Sequence, residues 1–337
     1  MGLGRYLARK SLWYLGALVV ALLLNFYLPR LVPGNPVDAI VANLTMGGGV
    51  SGDAAKVIHE NFMREFGLDQ PLWKQFFIYV NQLLHGNLGT SFAQYPASVN
   101  TLVGQALPWS ILLQLPAILV GWTLGNLLGA LAAFKGGWFD RGAFVGSLLF
   151  SSMPYYCLAI LLLYGFAVKA EIFPTGGAYP MGTFPEWSWS FISSAMPYFW
   201  LPFLSLVLIF IGGQAVGMRS MAIYELGSDY VNYGRGLGLK DSTIVRYIFR
   251  NAMLPQITGL ALSIGGLVGG ALVTELVFSY PGVGYLLFNA ISNKDYPVIQ
   301  AITVIITSAV LVANFAVEVL YGFIDPRIRA TQGGDKS

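Results

Sequence analysis

Long apolar runs alternate with short polar ones along this chain. Six stretches, near residues 11–29, 103–134, 142–168, 192–217, 255–279 and 298–323, carry only two ionised side chains between them, Glu275 and Glu318. Each is long enough to cross a hydrocarbon layer of about 30 Å, which takes roughly 20 helical residues. The pattern predicts six transmembrane helices. The second stretch is over-long, so it is expected to tilt or to project beyond the bilayer.

Two polar regions break the series. The first, residues 30–102, opens with Pro29, Pro33 and Pro36 and the flexible run Met46-Gly47-Gly48-Gly49. Within it Ala54, Val57, Ile58, Phe62 and Phe66 recur at helical spacing and predict a helix over 53–66. Trp73, Phe76, Phe77, Val80 and Leu84 predict a second over 71–84, with Pro71 suited to its first turn. Both stripes are expected to pack on each other or on the membrane helices. Gly86 to Ser91 is expected to turn the chain back toward the bilayer.

The second polar region, Arg219 to Pro255, holds five of the nineteen Lys and Arg: Arg219, Arg235, Lys240, Arg246 and Arg250. Its spacing predicts a short helix over Glu225–Tyr233, with Leu226, Tyr230 and Tyr233 on one face. Gly234, Gly236 and Gly238 are expected to end that helix and turn the chain. Ser242 is the candidate N-cap of a second helix, with Asp241 beside its positive end. There Ile244, Val245, Ile248, Phe249 and Ala252 form an apolar stripe, and Arg246 and Arg250 sit one turn apart on another face.

Composition agrees with the membrane reading. Charged residues are 10% of the chain and apolar ones 55%, against about 25% charged in a soluble domain. The basic N-terminal residues Arg5, Arg9 and Lys10 precede an apolar run, as in a signal peptide. Bulky residues at Asn25-Phe26-Tyr27-Leu28-Pro29-Arg30 leave no small-residue cleavage site, so the first helix is expected to be retained. With the N-terminus inside and six crossings, the inner pieces hold Arg5, Arg9, Lys10, Lys135, Arg141, Arg219, Arg235, Lys240, Arg246, Arg250, Arg327, Arg329 and Lys336. That leaves Arg30, Lys56, Arg64, Lys74, Lys169 and Lys294 outside. The asymmetry predicts both termini in the cytoplasm.

Candidate chemistry is sparse. Cys157 stands alone, so no disulfide or thiolate metal site is expected. His59 and His85 lack metal-site spacing. There is no G-x-x-x-x-G-K-[ST] phosphate loop, no row of intramembrane acids suited to proton coupling, and no nucleic-acid patch. Glu275 is expected to anchor an outer turn by hydrogen bonds, and Glu318 to lie near the inner rim. Gly259, Gly265, Gly266, Gly269, Gly270 and Ala271 permit close helix approach in the fifth span.

At this point the chain resembles the permease subunits of bacterial ABC importers, in the dipeptide/oligopeptide class, over nearly its whole length. The strongest pieces are Asp229-Tyr230-Val231, Gly238-Leu239, Arg250-Asn251-Ala252-Met253-Leu254-Pro255, Glu275 to Gly284 (ELVFSYPGVG), Asp295-Tyr296-Pro297-Val298 and Asp325-Pro326-Arg327. Weaker ones are Leu31 to Pro36, Phe66-Gly67-Leu68-Asp69 and Gly86 to Ser91. The resemblance implies an all-α polytopic fold of the type I importer permease. Residues 1–33 would be the cytoplasmic N-terminus and first helix, 34–102 an extracytoplasmic helical region, 103–325 a five-helix core with coupling loop 219–255, and 326–337 a cytoplasmic tail.

The resemblance also implies a coupling helix near residues 225–240 that docks into a groove of a cytoplasmic ATPase. The residues it assigns to that contact are Glu225, Leu226, Asp229, Tyr230, Tyr233, Gly234, Arg235, Gly236, Gly238 and Leu239. Arg250, Asn251, Pro255, Glu275, Pro281, Gly282, Asp325, Pro326 and Arg327 carry the structural part of the motif. Asn232-Tyr233-Gly234 departs from the Glu-Ala-Ala of the general permease motif, and the spacing from Gly238 to Pro255 is longer than in sugar-type importers. The implied partners are a second homologous permease, two ATPase subunits or domains, an extracytoplasmic solute-binding protein and lipid. The chain itself would bind no cofactor and catalyse nothing, with ATP and Mg used by the ATPase. Peptides and oligosaccharides remain alternative cargoes, with nickel and opines behind them. Trp187, Trp189 and Trp200, expected near the outer face, suit sugar rings as well as a membrane interface. A self-sufficient secondary transporter or channel is the competing class.

Overall fold

The computed structural model describes residues 3–31, 37, 41, 52–65, 67–267 and 271–324. Among these the chain is helical, with a single isolated β-bridge between Thr90 and Ser98. The helices are α1 (Leu3–Tyr27), α2 (Gly52–Glu65), α3 (Leu72–Leu84), α4 (Val99–Lys135), α5 (Gly137–Ser152) and α6 (Tyr155–Leu162, continued as π-helix over Leu163–Lys169). They continue as α7 (Trp189–Leu226), α8 (Asp229–Gly236), α9 (Asp241–Gly266), α10 (Leu272–Val277), α11 (Val283–Ser292) and α12 (Tyr296–Ile324).

Four of the described helices, α1, α4, α7 and α12, are long and apolar enough to cross a membrane. The chain is therefore a multi-pass membrane protein. The two middle ones form the spine. At 37 and 38 residues, α4 and α7 each run about 55 Å, well beyond a bilayer core. They pack closely because α4 presents small residues along the contact. A Cβ at Gly121, Gly125 or Gly129 would collide with Phe210, with the Ile211 backbone or with the Ala215 carbonyl of α7. Gly212 of α7 meets the backbone of α5 in the same way. Beside this seam the core gathers Leu113, Ala117, Leu201, Phe203, Leu206, Phe278 and Tyr280. Helix α1 is peripheral and packs chiefly on α12.

The other two predicted spans are not single straight helices. Residues 142–168 fall in α5 and α6, which meet at an angle of 98°. Pro154 explains the break. It pushes Met153 to an extended backbone (φ −83°, ψ 128°) and so ends α5. If the bent pair counts as one span, the described crossings number five. Residues 255–279 are split as well. Helix α9 starts far upstream at Asp241, passes through Pro255 and reaches Gly266. Ala271 is already non-helical (φ −84°, ψ 68°), and α10 begins after it. Four glycines between Gly265 and Gly270 weaken helix there.

The predicted helices of the first polar region form nearly where the periodicity puts them. The packing expected of the second differs. Phe76 of α3 meets Phe26 and Tyr27 of α1 edge-on and stacked. Trp73, Phe77 and Leu84 instead stay largely exposed. Periodicity fixes which residues share a face, not what covers that face. Helix α2, by contrast, buries Phe62 with Val37, Phe92 and Tyr296.

Candidate coupling elbow and outer turn

The polar region 219–255 becomes an elbow at one end of the α4–α7 spine. It begins later than its charge pattern implied. Helix α7 carries on through Arg219 to Leu226 and stops only at Gly227. The break is fixed by Ser228, whose Oγ donates to the Glu225 carbonyl at 2.6 Å. Helix α8 then covers Asp229–Gly236, with Asp229 in its first turn and Arg235 in its last. Both charges suit the helix dipole.

The predicted glycine triplet has three different roles. Gly234 is buried inside α8, and Gly236 is its last residue. Gly238 alone is left-handed, at φ +72°. Its N–H donates to the Arg235 carbonyl at 3.0 Å, and the Leu239 N–H donates to the Gly234 carbonyl at 3.1 Å. This is the paired hydrogen bonding of a Schellman cap, and only glycine adopts its C′ position without strain. The Leu239 side chain lies against Gly234, the apolar contact that accompanies such a cap. Helix α9 starts at Asp241, so Ser242 sits inside it. Lys240 occupies the cap position and makes no side-chain cap bond.

The elbow has a small core of its own. Ala222, Val231, Ile244 and Ile248 are buried together, with Leu226 and Ala133 packed against them. Leu226 therefore faces inward rather than standing on an outer face with Tyr230 and Tyr233. Tyr230 is tied down: its hydroxyl donates to Glu225 Oε2 at 2.6 Å. Burial and that bond hold the phenol above its ordinary pKa. Asn251 Nδ2 reaches the same Glu225 oxygen at 3.5 Å. Tyr224, Tyr233 and Leu237 point outward, each more than 60% exposed. Arg235, Arg246 and Arg250 are exposed around them. The result is a hydrogen-bonded corner carrying exposed aromatic and aliphatic side chains, with Asp229 and Asp241 exposed beside the arginines.

Above the elbow, Arg219 grips Asp140 of α5 with both ends of its guanidinium, Nε to Oδ1 at 2.5 Å and Nη2 to Oδ2 at 2.6 Å. It also lies over the Phe144 ring at 4.5 Å. Residue spacing did not reveal this bridge, since the partners are 79 positions apart. The one available signal was that Asp140 is the sole acid between the second and third apolar runs.

At the other end of the molecule lies the turn around Glu275. Glu275 is fully buried. Its Oε1 accepts from Ser110 Oγ at 2.7 Å, and its Oε2 accepts from the Gly284 N–H at 2.7 Å and the Tyr285 N–H at 3.2 Å. Ser110 in turn accepts from the Val283 N–H at 2.8 Å. The carboxylate thus satisfies the open N–H groups at the start of α11 and ties them to α4. Gly282 and Gly284 leave it room, for a Cβ at either would strike the carboxylate or the Leu272 backbone. Pro281 stands half-buried at the turn. Sequence reasoning did not identify Ser110, because a serine in a membrane helix has many uses. Asp325, Pro326 and Arg327 lie outside the described residues, as does the side chain of Glu318.

Two end-regions around a small-residue spine are thus in place. Residues 125–330 match the family model described as binding-protein-dependent transport system inner membrane component. The chain belongs to that family of membrane transport components. It is 33% identical over 322 residues to the di/tripeptide transport system permease protein DppB of Pseudomonas aeruginosa, covering 91% of this chain and 93% of that one. It is 31% identical over 327 residues to the oligopeptide transport system permease protein OppB of Haemophilus influenzae, and 30% identical over 327 residues to the dipeptide transport system permease protein DppB of Lactococcus lactis. Each of these covers 96% of this chain and 99% of the relative.

Proposed function

We propose that this chain is the permease subunit of an ATP-driven importer for peptides, forming half of a translocation pathway with a second homologous permease. The observation that carries the reading is the elbow: a hydrogen-bonded, charged, ring-bearing corner at the end of a 38-residue helix. Such a corner suits insertion into a groove of a cytoplasmic ATPase, with Tyr224, Tyr233 and Leu237 as contact groups. The peptide names of the relatives favour peptides over oligosaccharides as cargo.

In this reading α9 and the segment after it supply a sixth crossing, and the bent pair α5–α6 counts as one. Both termini and the elbow are cytoplasmic, and residues 34–102 with the Glu275 turn are extracytoplasmic. The ATPase holds the ATP and Mg, and a solute-binding protein delivers cargo from outside.

The test is transport in proteoliposomes. The chain co-expressed with its permease and ATPase partners should import peptide only with ATP and binding protein present. Uptake by the purified chain alone, driven by a proton or sodium gradient, would sink the proposal. In a Cys157→Ala background, an impermeant thiol reagent applied to intact cells should label Ser292→Cys and spare Ser242→Cys. The reverse labelling would invert the orientation.

A further inference from the structure

Between the loop 91–97 and the start of α12 lies a cavity of about 210 Å³, lined by Ala93, Gln94, Leu286, Asn289, Ala290, Asn293, Asp295 and Val298. Half of its lining is aliphatic: Ala93, Leu286, Ala290 and Val298. Its rim is polar in a particular way. The side-chain amides of Gln94 and Asn289 make no hydrogen bond to the described chain, and both are at least partly exposed. Asn293 spends its Nδ2 on the Asn289 carbonyl at 2.8 Å, which leaves its Oδ1 free to accept. The cavity sits at the C-terminal end of α11, where helix carbonyls carry partial negative charge.

Asp295 adds a carboxyl group at the wall. It is buried and accepts from Ser91 Oγ, from the Phe92 N–H at 3.0 Å and from the Ala93 N–H at 3.2 Å. None of these donors carries a formal positive charge. Lys294 precedes Asp295 in sequence but does not line the cavity. The combination is a mixed well, with aliphatic side chains beside free acceptors and a carboxyl group. It fits the methylene stem and cationic head of one Lys or Arg side chain. The well opens to the surface, with Ala93, Gln94 and Asn293 exposed, and its volume of about 210 Å³ suits one protruding side chain of a docked protein better than a whole cargo molecule.

The geometry points to this cavity as the seat of a single basic side chain on the protein that docks on the extracytoplasmic face. This rests on the proposed orientation and on delivery by a binding protein.

The assembled transporter in nanodiscs is titrated with its own solute-binding protein, comparing unaltered chain with Asn293→Asp and Asn293→Lys. Aspartate keeps the size of asparagine and adds negative charge, whereas lysine adds a like charge to the incoming group. The expected result is tighter binding with Asn293→Asp, and loss of about tenfold or more in affinity with Asn293→Lys. The Asn293→Asp gain should shrink as salt rises. Equal affinities in all three, or weakening by both substitutions, would overturn the seat while leaving the importer reading intact. If the unaltered transporter binds no solute-binding protein, the importer reading fails first and the seat falls with it.

Discussion

Glu275 and Glu225 each stand beside a break in the helical path, next to a short helix and a glycine. At the outer turn the Glu275 carboxylate finds all its partners inside the chain, although the neighbouring Thr274 Oγ1 is buried without one. The Glu275 oxygens take three donors from Ser110, Gly284 and Tyr285, and large side chains nearby, Tyr280 and Phe278, are buried. At the elbow the backbone is just as well capped, yet Tyr224, Tyr233 and Leu237 face outward. A closed network of this kind holds one structure together. An ordered corner that leaves large rings uncovered is what the proposed docking on an ATPase requires.

Three substitutions sharpen the contrast. The largest effect on stability is expected from Glu275→Ala. It strands Ser110 and two α11 N–H groups in a buried site, and each orphan costs about 1–3 kcal/mol. The permease should fail to accumulate, or lose its monodisperse peak on mild heating in detergent. Wild-type thermal stability in that variant would show that the outer turn is not a structural clasp.

Gly238→Leu comes next. A side chain at φ +72° costs roughly 1–2 kcal/mol, and nothing lies within 4 Å of the added Cβ. The protein should therefore still insert and accumulate, with the exit from α8 distorted. Co-purified ATPase should be lost, or its hydrolysis should stop responding to cargo. Unchanged coupling would separate the left-handed cap from the docking role.

Tyr233→Ala should disturb stability least, by less than about 0.5 kcal/mol, because the ring is 71% exposed. Its effect should fall on cargo-stimulated ATP hydrolysis alone. If Tyr233→Ala lowers thermal stability as much as Glu275→Ala does, the distinction between a sealed turn and an open elbow collapses.

Much of this was legible in the sequence because it depends on local periodicity. Apolar runs of sufficient length mark bilayer helices whatever they pack against, and the 53–66 and 71–84 stripes foretold α2 and α3. The motif residues also marked both ends of the molecule, Glu225 to Leu239 and Glu275 to Gly284. Glycine count alone did not distinguish the triplet. One glycine is a helix terminus, one is buried against Leu239, and one needs positive φ, and those differences arise only when the capping bonds form.

Tertiary structure decided what depends on distant partners. Hydropathy merges residues 142–168 into one span, and the break at Pro154 with its 98° angle between α5 and α6 appears only in the folded chain. Leu226 has the same period as Tyr230 and Tyr233, yet it turns inward because Ile244 and Ile248 come to meet it from α9. Arg219 counts as a loop cation until Asp140 is brought beside it from 79 residues away. The sequence by itself determined a membrane permease with a polar corner, since hydropathy and short motifs are properties of neighbours along the chain. Which side chains of that corner are spent inside and which are left exposed is settled by contacts between segments, and these exist only once the chain has folded.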